Sequence, residues 1–281
     1  MSFAFSPRRA RLGLGAVALM ALASLSGSDI AAAGEPKWPS QVSAVYGVTF
    51  NGFDIGTFAF KAEVSSGRYT LSGDAQISAL LGFVKWQGIT RTSGAVSGAT
   101  ATPAVYAFDY SSSKTSGSVR MAFRNGTVAS IAANPPLPAS PEMVPLERAH
   151  LKGVLDPLSA VLALSRPSGS DPCDQRLPIY DGLQRFDLVM TSKGVRNLTG
   201  DHGVLHVCEM RYRPISGYRR GKETEDLART MKIEISFRPV PSAGLFVPHE
   251  IRIPTLVGSA VLALQKIDIL TSDHDQVAFA E

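Results

Sequence analysis

The feature that most constrains this chain is a period-two alternation of apolar and polar residues, repeated in short runs between turn residues. Tyr46, Val48 and Phe50 alternate with Val45, Gly47 and Thr49, Asn51-Gly52 supplies a turn tolerant of positive φ, and the chain returns over residues 55–64. Val119, Met121 and Phe123 alternate with Ser118, Arg120 and Arg124 before Asn125-Gly126 turns the chain into Val128 and Ile131. Met231, Ile233, Ile235 and Phe237 alternate with Lys232, Glu234, Ser236 and Arg238. Successive side chains of a strand point to opposite faces, so each run has one apolar and one wet face. Further runs at 186–192, 203–213, 246–253 and 259–270 bring the expected count to about 10–13 strands. A meander of that size must curl to bury its apolar face and protect its edges. The expected fold is therefore mainly β, a curled antiparallel sheet forming an open or closed β-barrel, with two packed sheets as the alternative.

Prolines 135, 136, 138, 141 and 145 divide the pattern. They forbid regular hydrogen bonding over 134–145 and favour an extended crossing between a first half at 41–132 and a second half at 173–270. One short helix is expected at about 156–164, plugging the sheet: Asp156 can cap the first amides, Pro157 suits the first helical position, and Leu158, Val161, Leu162 and Leu164 form one broad face. The charged stretch 219–229 reads as a solvated loop or a short helix, its Arg219, Arg220 and Lys222 offset by Glu223, Glu225 and Asp226.

The start of the chain has the three parts of a secretory signal: Arg8, Arg9 and Arg11, an apolar run at 12–25, and Ala31-Ala32-Ala33 before Gly34. The run of 14 residues is shorter than the ~20 a transmembrane helix needs, and no later segment reaches that length. Cleavage is expected after Ala33, leaving 34–281 as a single β-rich domain with no transmembrane span. Neither cysteine stands at the cleavage site, so no lipid anchor is expected. The formal charge of +4 drops to about +2 once the leader's three arginines and one aspartate are gone, and nothing argues for nucleic acid. Two cysteines in an exported chain read as a pair, so a Cys173–Cys208 disulfide in the periplasm is expected; C-x-x-C redox spacing is absent.

Candidates for chemistry are sparse. Asp201, His202, His206 and Glu209 share one stretch, but on a strand His202 and His206 would stand about 13 Å apart, too far for one metal ion. His206 and Cys208 share a face, which makes His206 a structural residue near the bridge. Ser111-x-x-Lys114 has the spacing of a serine–lysine pair but sits in a serine-rich turn, where a polar hairpin end is the simpler reading. No G-x-S-x-G elbow, phosphate loop or dinucleotide fingerprint occurs, and neither metal nor cofactor is expected. Asp181, Arg185 and Asp187 could join in a carboxylate–guanidinium network. Phe53, Phe58, Phe60 and Trp86 can fill a core or line a cavity. Glycine inside the apolar stretch 79–84 points to a flexible lip of Leu80, Leu81 and Phe83, with Trp86 beside it, suited to an apolar guest.

Three clusters carry a family resemblance. They are Leu155-Asp156-Pro157-Leu158-Ser159-Ala160; Cys173 with Tyr180-Asp181-Gly182 and Arg185-Phe186-Asp187-Leu188; and Cys208 with Tyr212, Pro214 and Gly217-Tyr218. Over roughly residues 42–270 the chain resembles the exported bacterial family DUF3108, a domain of unknown function. The resemblance implies a periplasmic protein with a curled β-sheet and brings no activity to any residue. The expected role is a noncatalytic holder of an apolar ligand, whether lipid, acyl chain or peptide, or of an envelope partner. A hydrolase-like periplasmic enzyme using Asp201, His202 or His206, and a structural envelope protein, are the alternatives.

Overall fold

The computed structural model describes residues 37–79, 84–136, 140–198, 203–255 and 257–280. The leader with its cleavage site, Leu80, Leu81, Phe83, Asp201 and His202 lie outside the described residues. Alternation becomes strand wherever it was legible: β1 (Gln41–Phe50), β2 (Phe53–Ser65), β3 (Arg68–Ala79), β4 (Val84–Ser97), β5 (Thr100–Ser112), β6 (Ser116–Arg124) and β7 (Thr127–Asn134) form the first half. After α1 (Pro157–Ser165) come β8 (Arg176–Tyr180), β9 (Arg185–Asn197), β10 (Val204–Ser216), α2 (Lys222–Thr230), β11 (Lys232–Val240), β12 (Leu245–Thr255), β13 (Gly258–Leu270) and β14 (Gln276–Ala280). Asn51 and Asn125 take positive φ, 50° and 52°, as their hairpin turns require.

The described residues hold fourteen strands in one antiparallel sheet, ordered β7-β6-β5-β4-β3-β2-β1-β13-β12-β11-β10-β9-β8, with β14 pairing β13. Fourteen exceeds the expected 10–13 because β8 and β14 have only five residues each, too few for alternation to declare them. Beside the expected helix there is a second, α2, in which the charged stretch takes its helical option. The proline crossing is also less free of hydrogen bonds than expected. Val144 donates to the Tyr218 carbonyl at 2.9 Å and accepts from the Gly217 amide at 2.9 Å, docking the crossing on the end of β10.

Helix α1 packs against β3, β4 and β5 on one side and against β8 and β12 on the other, which places it inside the curl of the sheet. The outer strands β7 and β8 do not pair, so the sheet is not closed. Residues 152–155 bridge the gap. Gly153 donates to the Gly126 carbonyl at 2.7 Å beside β7, while Leu155 exchanges hydrogen bonds with Pro178 and Tyr180 of β8 at 2.8 and 2.9 Å. This short clasp leads straight into α1.

The Cys173–Cys208 disulfide ties the chain leaving α1 to β10, with Cα atoms 5.3 Å apart. Both cysteines are buried among Ala160, Leu164, Met190, Ile235 and Phe237. The pairs His206↔Phe237 and Cys208↔Ile235 put His206 on the face of the bridge, and its ring meets Phe246 edge-on at 5.4 Å.

Candidate functional site

The start of α1 is fixed by a buried polar knot. Asp156 is fully buried, and its Oδ1 accepts from the amides of Leu158 and Ser159 at 3.0 and 2.9 Å. Its Oδ2 accepts from the hydroxyls of Ser159 at 2.5 Å and Thr92 at 3.0 Å. The Tyr69 hydroxyl lies 2.7 Å from Ser159 Oγ. Desolvation holds the Asp156 carboxyl above its ordinary pKa, against the pull of these hydrogen bonds. Ser159 beside a carboxylate suggests a nucleophile on paper, yet both residues are sealed from solvent, so the knot anchors the helix to β3 and β4.

Next to that anchor a cleft opens between the sheet and the helix. Strand register lines residues up in rungs across the sheet: Phe58, Ala75, Gly88 and Tyr110 in one, Phe60, Gly73, Thr90 and Phe108 in the next. Small residues thus occupy the middle of both rungs, between large aromatic ends. The rings fold into the space that glycine leaves. An added Cβ on Gly88 would lie 2.4 Å from Trp86 Cη2 and 3.1 Å from Phe108 Cε2, and one on Gly73 would lie 3.0 Å from Phe58 Cε2. The result is a cleft of about 480 Å³ between this floor and the first turn of α1, where Pro157, Leu158 and Val161 form its wall. A second, apolar cavity of about 90 Å³ lies beyond Phe58 and Val161, which face both spaces, and is closed by Trp38, Tyr46 and Ile267.

The rim is supplied by the turn between β8 and β9. Asp181 Oδ1 accepts from the amides of Leu183 and Gln184 at 2.8 and 2.7 Å, and Asp181 and Leu183 line the cleft. Gly182 has φ +104°, and a Cβ there would meet Val119 Cγ1 at 2.4 Å, so only glycine lets this turn close against β6. Gly217 serves the same junction, since its Cβ would meet the Leu183 carbonyl at 1.9 Å. Desolvation raises the Asp181 pKa, opposed by the two amides. Its charge in turn helps desolvation push the phenols of Tyr180 and Tyr212 up to about 12.

The structure therefore gathers several of the sequence-named residues and separates others. Pro157, Asp181 and Trp86 meet at the cleft, with Asp156, Gly182, Gly217 and Tyr218 holding its frame. Asp187 is buried and paired with Arg185, 2.6 Å away, and with Arg176, whose Nε lies at 2.7 Å. Asp181 takes no part in that network; the turn amides claim it instead, because an aspartate at the head of a tight turn reaches the amides two and three residues on. Phe53, offered as core or cavity lining, is 75% exposed, because it opens β2 at a hairpin tip. The sequence reading does not single out the small residues Ala75, Gly73, Gly88 and Thr90, although small side chains at alternate positions of neighbouring strands are the signal of an open floor. Among the described residues no group of three or more His, Cys, Asp or Glu could hold a metal ion, and no helix is long and apolar enough to cross a membrane.

No curated protein matches the chain. A crystal structure from Brucella abortus, described as a β-barrel-like protein of domain of unknown function DUF1849, is similar at a TM-score of 0.50 and 11% identity, over 83% of this chain and 99% of that one. That likeness concerns the fold alone, and it agrees with a curled β-sheet. The family described as Protein of unknown function (DUF3108) matches residues 45–265, from β1 to β13 and through all three clusters named above. With the match spanning most of its length, the chain belongs to the DUF3108 family.

Proposed function

We propose that this is a soluble protein of the bacterial periplasm, released by cleavage after Ala33, that holds an apolar ligand in its cleft without transforming it. The observation that carries the reading is the cleft under the helix: Ala75 and Gly88 lie in its floor where larger side chains would fill it, leaving about 480 Å³ lined mostly by aromatic and aliphatic side chains. That volume is in the range of small-molecule sites, and aromatic walls with one charged group are their usual lining. A lipid, an acyl chain or an apolar peptide segment fits that lining. The opposite face of the same strands carries Thr57, Gln76, Gln87 and Ser111 in one rung, polar residues that suit water. The leader and the disulfide support an oxidising compartment outside the cytoplasm.

Of the residues the enzyme alternative would use, Asp201 and His202 lie outside the described residues, and His206 packs on Phe246 and does not line the cleft. Thermal unfolding of delipidated protein with envelope lipids and acyl chains tests the reading. A ligand at 100 times its Kd raises stability by about 2.7 kcal/mol, so a clear upward shift in Tm is expected, with a change in emission that Trp86→Phe abolishes. No shift with any apolar compound contradicts it.

A further inference from the structure

Among the described residues, the Asp181 carboxylate in the cleft has no counter-ion. Asp181 lines the cleft, and its carboxyl is held by backbone amides, those of Leu183 and Gln184 on Oδ1; no described Lys, Arg or His lines the cleft. Those amides hydrogen-bond the ionised form and so support the charge that burial opposes. The same cleft is lined by Tyr106, Phe108, Tyr110 and Trp86, with Phe108 and Tyr110 stacked at 5.7 Å between ring centroids. Aromatic faces carry negative potential, which attracts cations and repels anions. A carboxylate and four rings in one partly dry cleft therefore agree in sign. They disfavour fatty-acid carboxylates and bare phosphates, and they match an ammonium group.

We propose that the ligand is a cationic amphiphile: an ammonium group, primary or quaternary, sits between the Asp181 carboxylate and the aromatic rings, and its apolar body lies along Phe58 and Val161 under α1. This rests on the reading of the cleft as an apolar binding site. Beyond Phe58 and Val161, the apolar cavity of about 90 Å³ offers room for the end of a chain once the Phe58 ring turns aside.

Calorimetric titration of the purified protein with octyltrimethylammonium, octanol and octyl sulfate, each below its micelle concentration, separates the possibilities. The ammonium compound is expected to bind roughly tenfold or more tightly than octanol, and octyl sulfate most weakly, a tenfold ratio being about 1.4 kcal/mol. Asp181→Asn keeps an oxygen for the two amides and removes the charge; it is expected to erase the preference for ammonium and leave octanol unchanged. Tyr110→Leu keeps apolar bulk and removes a ring face, and is expected to weaken ammonium binding roughly threefold to tenfold, again sparing octanol. Circular dichroism of each variant confirms folding. Equal affinity for octanol and the ammonium compound, or an undiminished preference in Asp181→Asn, overturns the head-group assignment while leaving the apolar site standing. Failure of all three compounds to bind overturns both.

Discussion

At the scale of single residues, two carboxylates carry most of the account, and both are held above their ordinary pKa by burial. A carboxyl that binds its proton more tightly in the folded chain than in the unfolded one makes stability fall as pH rises. The fall begins near the unfolded value, about 4, and ends once pH passes the raised folded value. Asp181→Asn removes one such group without losing the turn, and the titratable groups its charge touches, Tyr106, Tyr180 and Tyr212, stay neutral throughout that window. The variant is expected to melt higher than the parent at pH ~7 and to lose that advantage as the pH is lowered toward ~4. Melting curves over that range check it, and an offset independent of pH contradicts the assignment.

Elements follow from local chemistry where that chemistry is concentrated in a few positions. Asp156-Pro157 was legible as a helix start because cap and first-turn proline are both local signals, and α1 begins there with Asp156 accepting from Leu158 and Ser159. Asp156→Ala removes the cap and the acceptor of the buried Ser159 hydroxyl, while Thr92 keeps the Val105 carbonyl at 2.8 Å, so a loss of about 2–4 kcal/mol in urea unfolding is expected. The Asn-Gly hairpins and the alternating strands were legible for the same reason. What could not be read is non-local. Asp181 answers to Leu183 and Gln184 rather than Arg185, and Gly88 acquires meaning only once Ala75, Tyr110 and Trp86 are its neighbours across strands. Gly88→Ala tests that meaning: the new methyl group drives the Trp86 indole off the floor, lowering stability by about 1–3 kcal/mol and shifting Trp86 emission to the red.

For the molecule as a whole, the sheet is held in its curl by three ties that sequence pattern reveals unevenly. The disulfide was legible from the cysteine count and the leader-like start of the sequence. Its closure of a 35-residue separation is expected to contribute about 4 kcal/mol, which Cys173→Ser with Cys208→Ser should remove in a denaturant titration. The clasp at 152–155 and the Gly182–Val119 contact depend on both edges of the sheet arriving at one place, which no local window encodes. Together they suspend α1 above a floor of small residues. On the proposed function, this gap is occupied in the cell. A crystal structure of the protein purified from its native envelope without detergent tests it most directly. Continuous elongated density between Phe58, Trp86, Phe108 and the first turn of α1, with its polar end at Asp181, is the predicted result. A cleft filled by its own repacked side chains, with no room left for a guest, would contradict it.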